Sequence, residues 1–95
     1  MREHELVIVE EFCNSYDVDI SFVQSLHQSG LVELVVIEEK DFIPEEQLAG
    51  LEKLVHFREM GINIAGMETI LHLLEKLEEM QKEIKDLHNK LSLFS

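Results

Sequence analysis

The chain is short of positive charge, nearly free of cysteine and without a long apolar run near its start, and each shortage disfavours a class of function. Its 95 residues carry 8 Lys and Arg against 20 Asp and Glu, a net charge of -12. Nucleic acid and anionic lipid are held by cations that neutralise phosphate, so both are poor partners for this composition, and a basic protein partner fits better. A single cysteine, Cys13, cannot close an intrachain disulfide, which points to a reducing, cytosolic compartment. Near the N-terminus the apolar run Leu6 to Val9 spans four residues between acids, unlike a signal peptide or a membrane span.

Catalytic signatures are also missing. There is no Gly-rich phosphate loop and no G-x-S-x-G elbow, and Ser25 and His27 sit too close on one helix to make a dyad. His4, His27, His56, His72, His88 and Cys13 show no close ligand spacing of the C-x2-C or H-x3-H kind. His56 and His72 are expected at half-exposed helix borders, and Cys13, beside Phe12, as a small core residue. No enzyme activity, metal or cofactor is expected.

What the chain does have is an ordinary globular balance, 45 % apolar and 29 % charged. Its length suits one small domain with at most one appended element. Leu6 to Val9 reads as a leading strand or as the apolar approach to a first helix, Glu10 to Tyr16. Asp17-Val18-Asp19 interrupts that helix, and the Asp19 carboxylate is placed to cap a second one bearing Phe22, Val23 and Leu26. Gly30 suits the left-handed position that ends it. Two short helices on a three-residue turn are a helix-turn-helix pattern.

Leu34 to Ile37, an acidic turn at Glu38 to Asp41, and Phe42-Ile43-Pro44 then outline a small β-hairpin wing. Pro44 with Glu45 and Glu46 suits the first turn of a third helix. That helix carries Leu48, Leu51, Leu54, Val55 and Phe57 and stops at Gly61, and Asn63 can cap a fourth. The expected division is a head over residues 1–61 and a C-terminal helix over residues 62–95.

In the fourth helix, Ile70, Leu73, Leu77, Met80, Ile84, Leu87, Leu91 and Phe94 step by three and four alternately, an a/d heptad seam. About 25 such residues make a rod of roughly 37 Å, longer than a small domain covers. A homodimer through the seam is expected, with packing onto the head as the alternative. Leu71 and Leu74 widen the stripe, so the start of the helix is expected to touch the head as well. Glu78 with Lys82 and Asp86 with Lys90 are favourable i,i+4 pairs on the solvated side. Lys76, Glu83 and Lys90 at position g favour an antiparallel pair in which Leu77 layers on Met80 of the partner.

Charge is uneven along the chain: residues 1–60 hold 14 acids and 4 bases, residues 61–95 only 6 acids and 4 bases. The candidate partner-binding residues are Glu33, Glu38, Glu39, Asp41, Glu45 and Glu46 around the wing, with Asp17 and Asp19 next. The competing reading of these acids is a solvated face that keeps a small protein soluble.

Helix-turn-helix, wing, third helix and heptad helix follow the order of MerR-type regulators. The sequence most resembles the CbpM-like chaperone-modulator family, through Glu11-Phe12-Cys13, Gly30-Leu31-Val32-Glu33 and FREMGINIAGMETILHLL from Phe57 to Leu74. Within that last stretch Arg58, Glu59, Gly61, Asn63 and Gly66 carry the likeness. The resemblance implies a mainly α fold, a MerR-like winged helix-turn-helix with a long C-terminal coiled-coil helix. It also implies a partner, the J-domain of a DnaJ-like (CbpA-type) co-chaperone, whose work with the Hsp70 chaperone DnaK would be restrained. The runner-up is a MerR-like DNA-binding transcriptional regulator. Against it, Asp19 to Ser29, the would-be recognition helix, contains no Arg or Lys, leaving Gln24, His27 and Gln28 to reach base edges.

Overall fold

The computed structural model describes residues 5–93; His4 and Phe94, named above, lie outside them. Strand β1 (Leu6–Ile8) runs straight into α1 (Val9–Tyr16), and α2 (Ile20–Gln28) follows. Then come β2 (Val35–Ile37), β3 (Lys40–Pro44), a 3-10 turn (Glu45–Gln47), α3 (Leu48–Glu59) and α4 (Ile64–Ser92). The fold is mainly helical, a winged helix-turn-helix with a long last helix, as expected.

The two readings of Leu6 to Val9 resolve in favour of a strand, with Val9 already in the helix. That strand enlarges the wing to a three-stranded antiparallel sheet in the order β1-β3-β2. On one side of β3 the register pairs Leu6 with Pro44, Val7 with Ile43 and Ile8 with Phe42. On the other it pairs Val35 with Phe42, Val36 with Asp41 and Ile37 with Lys40.

Pro44 is therefore the last residue of β3, as the hairpin reading has it, and also caps the 3-10 turn Glu45–Gln47 that leads into α3. The next backbone N–H, that of Glu45, donates to the Glu5 carbonyl at 2.8 Å. In an antiparallel ladder the bonds to one neighbour fall on alternate residues, so Pro44 occupies a slot where β1 asks for no donor.

Three helices bury apolar triplets at helical spacing: Val9, Phe12 and Cys13 on α1; Phe22, Val23 and Leu26 on α2; Leu51, Leu54 and Val55 on α3. Val32 and Ile43 complete the core of the head. At roughly 1.5–3 kcal/mol for each large side chain taken out of water, this cluster is the main force holding the head.

Helix ends follow local chemistry. Gly30, at φ +80°, ends α2: its N–H donates to the His27 carbonyl at 3.0 Å, and that of Leu31 to Leu26 at 2.9 Å. Gly61, at φ +85°, ends α3 with the same pair of bonds, to Arg58 and Phe57. Each is a left-handed cap that satisfies the last carbonyls of its helix. At the start of α2, Asp19 stands at the cap position, but its carboxylate makes no capping bond, contrary to expectation. Its backbone carbonyl accepts from the Phe22 N–H at 3.1 Å instead.

The described chain divides into two compact units, Met1–Ile64 and Ala65–Ser95. In α4 the buried residue is Met67; Ile70 and Leu71 are half-buried. The rest of its seam, Leu73, Leu77, Met80, Ile84, Leu87 and Leu91, is 52–70 % exposed. Glu78 with Lys82 and Asp86 with Lys90 are not closed as ion pairs; among the described residues the contact at ion-pair distance is His56 Nδ1 to Glu59 Oε1, 3.8 Å. Exposed pairs of this kind contribute little, about 0.2–1 kcal/mol, so open geometry costs the helix almost nothing.

Candidate functional site

The candidate surface lies on the helix-turn-helix and its wing. α2 holds the place of a recognition helix, and Ser21, Gln24, His27 and Gln28 are its exposed polar residues. No cation stands among them. His27 Nδ1 lies 3.1 Å from the Val32 carbonyl oxygen, so the ring donates from that nitrogen and ties the end of α2 to the strand entering the wing.

Bases are sparse throughout the described head: Lys40, Lys53 and Arg58. The Arg58 guanidinium sits over the Phe22 ring at 5.0 Å, a cation–π placement that engages this cation with an aromatic face.

The wing turn is tighter than expected. Glu38 and Glu39 alone form it, while Lys40 and Asp41 belong to β3. Both glutamates are left-handed, φ 50° and 68°, as the two-residue turn that matches strand twist requires. Such turns favour Asn-Gly, because a side-chain-bearing residue in this region costs about 1 kcal/mol. The hairpin therefore presents two carboxylates at its tip against the local preference of the backbone.

Asp41, Glu39 and Lys40 face Ile8 and Val9 at the β1–α1 junction, Glu10 of α1 and Ile20 of α2 across a cleft of about 190 Å³. A second concavity, lined by Glu10, Cys13, Asn14, Val18, Asp19 and Ile20, shares Glu10 and Ile20 with the first. Between them the two are lined by the acids Glu10, Asp19, Glu39 and Asp41 and by Lys40.

The eight acids expected to bind a partner fall into groups. Glu39 and Asp41 line the first cleft and Asp19 the second, and Glu38 adjoins Glu39 in the turn. Glu33 lies at the other end of the wing, where its backbone N–H donates to Gln47 Oε1 at 3.0 Å, close to Glu45 and Glu46 of the 3-10 turn. Asp17 stands apart as the left-handed end of α1 at φ 57°. Glu10 was not among the expected residues. Its signal is positional: it is the second residue of α1, directly after a strand that pairs with β3 of the wing.

Two titrations are shifted. Burial first, and the charge of Asp19 second, push the Cys13 thiol above its ordinary value, as suits a buried core residue. The Tyr16 hydroxyl donates to Glu52 Oε2, and that bond raises its pKa. Tyr16 also stacks on Phe12 with ring centroids 4.4 Å apart. His56 and His72 are exposed instead of half-buried. Among the described residues no three His, Cys, Asp or Glu side chains converge as a metal site, and no helix is long and apolar enough to cross a membrane.

A family model described as MerR HTH family regulatory protein matches residues 7–89. No curated protein and no solved structure matches the chain significantly.

Proposed function

Because the chain belongs to the MerR helix-turn-helix family of regulatory proteins, we propose that it keeps the family's head with its charge inverted to hold a basic protein domain. It is a non-enzymatic chaperone modulator that binds the J-domain of a DnaJ-like, CbpA-type co-chaperone and restrains its action with the chaperone DnaK. The observation that carries this reading is the surface of α2 and the wing, with no cation on the exposed recognition helix and carboxylates at the hairpin tip. J-domains offer a basic helical face, and opposite potentials both steer and select such partners.

Titration of a purified J-domain tests this directly. Binding is expected to weaken at least tenfold, and to lose most of its salt dependence, when Glu38, Glu39 and Asp41 are all changed to Lys. Unchanged affinity and salt slope would refute the reading.

The family match itself favours a second reading, a DNA-binding transcriptional regulator. Retention on duplex DNA at low salt, with a steep loss as salt rises, would establish that one in its place.

The exposed seam of α4 supports self-association. The proposed assembly is an antiparallel homodimer with Leu77 of one copy against Met80 of the other, which brings Lys76 towards Glu83 of the partner. Cysteines at positions 77 and 80 should then crosslink between chains. Crosslinking of position 77 to itself in their place would reverse the assignment.

A further inference from the structure

β2 is an edge strand of the sheet, and none of its own three residues resists pairing. Its three residues are apolar and β-branched, Val35, Val36 and Ile37, and they are 36, 66 and 44 % exposed. Natural edges are usually blunted by a lysine, a proline, a bulge or a covering element, because an open edge recruits another strand. β2 carries no such residue.

The register fixes which backbone groups are on offer. Ile37 and Lys40 close the two-residue turn, so they and the Val35–Phe42 pair exchange the ladder bonds, and the intervening Val36 turns its N–H and C=O outward. A strand laid alongside would bond to Val36, with Val35 and Ile37 meeting its side chains on one face and Val36 on the other.

Charge selects the occupant. If β2 paired antiparallel with β2 of a second copy about Val36, Leu34 would face Glu38 and Glu33 would face Glu39, setting four carboxylates against one another at the two ends. A parallel pairing would stack Glu38 on Glu38. Like charges directly opposite destabilise a sheet, so the edge discriminates against its own copy.

We infer that the β2 edge is a strand-addition site for an extended segment of a partner protein, alternating apolar residues along its length and basic at its ends. This goes beyond the J-domain reading, since a helical domain cannot pair with an edge, and the two stand or fall separately.

The probe is a synthetic peptide of alternating valine and threonine flanked by lysine pairs, titrated against the full chain at low salt by fluorescence anisotropy. Saturation is expected to slow hydrogen exchange of the Val36 amide at least tenfold. The same peptide N-methylated at the residues that face the edge, with identical charge, is expected to bind at least tenfold more weakly. Val36→Pro should have a similar effect, since that N–H makes no bond within the sheet; where this variant loses its circular dichroism, the N-methylated peptide decides alone. Equal binding of the N-methylated peptide would overturn the inference by reducing the contact to charge attraction. Disulfide pairing of Val36→Cys with a second copy would overturn it too, by making the occupant this chain itself. J-domain affinity is measured in parallel with the Glu38, Glu39 and Asp41 triple variant, so failure of one reading is distinguishable from failure of the other.

Discussion

The head and the last helix both carry apolar residues at helical spacing, yet they dispose of them in opposite ways. α1, α2 and α3 sink their triplets into a shared core, with Leu26 and Leu51 essentially inaccessible. α4, 29 residues and so roughly 43 Å long, leaves Leu77, Ile84 and Leu91 mostly in water. The difference lies in length and period: an eight- to twelve-residue helix can turn its whole stripe inward, whereas a heptad stripe many turns long runs past anything a small head offers. The same spacing thus marks a core in one region and an exposed apolar stripe in the other.

The sharpest break of that comparison is a pair of truncations. Leu26→Ala should lower the unfolding free energy by about 2–5 kcal/mol, because it opens a cavity in the core. Leu77→Ala should leave unfolding of the head within about 0.5 kcal/mol and weaken self-association instead. The sole tyrosine, Tyr16, lies in the head and the chain has no tryptophan, so tyrosine fluorescence in urea follows the head alone, with sedimentation equilibrium reporting association. An equal loss for both variants at every protein concentration would erase the distinction between core and interface.

The wing tip sharpens it from the other side. Replacing Glu38 by Asn and Glu39 by Gly should stabilise the head by about 1–2 kcal/mol, since both positions are left-handed. The same change should lower J-domain affinity. A tip that gains stability without losing affinity would mean the carboxylates are only solvated charge.

Glycines give a smaller effect whose sign depends on backbone geometry. A Cβ at Gly61 or Gly50 meets nothing within 4 Å, so packing is not at issue at either site. Gly61→Ala should cost about 1 kcal/mol, its φ being +85°. Gly50→Ala, inside α3, should stabilise by about 0.5–1 kcal/mol. Thermal unfolding of the two variants should therefore shift in opposite directions.

The mildest effect concerns Tyr16. Its bond to Glu52 raises the folded-state pKa, so the stabilisation is complete below the unfolded tyrosine value and disappears as pH climbs through the folded one. An ultraviolet titration should place Tyr16 above ordinary tyrosine, and Glu52→Gln should bring it back down. No change in the Glu52→Gln variant would deny the bond its role.

Much of this architecture was legible in the residues. Phe22, Val23 and Leu26 announced α2, Gly30 and Gly61 the ends of α2 and α3, and the heptads a long last helix, because each signal lies within a few neighbouring residues. Asp19 and Pro44 stand where local chemistry puts them, at the cap of α2 and at the cap of the 3-10 turn, but the Asp19 carboxylate makes no capping bond and pairing with β1 also holds Pro44 in the sheet. The two clefts were legible only in part: Asp19, Glu39 and Asp41 stood out as acids, but nothing local joined Glu10 to them.

Periodicity, glycine placement and charge are properties of short windows, and from them the sequence alone determined the helices, their ends and the acidic sign of the head. Tertiary structure decided that β1 would join β3, that the turn would hold two left-handed glutamates, and that Glu10, Glu39 and Asp41, some thirty positions apart, would line one cleft. Those outcomes depend on contacts between distant segments, which no local pattern encodes.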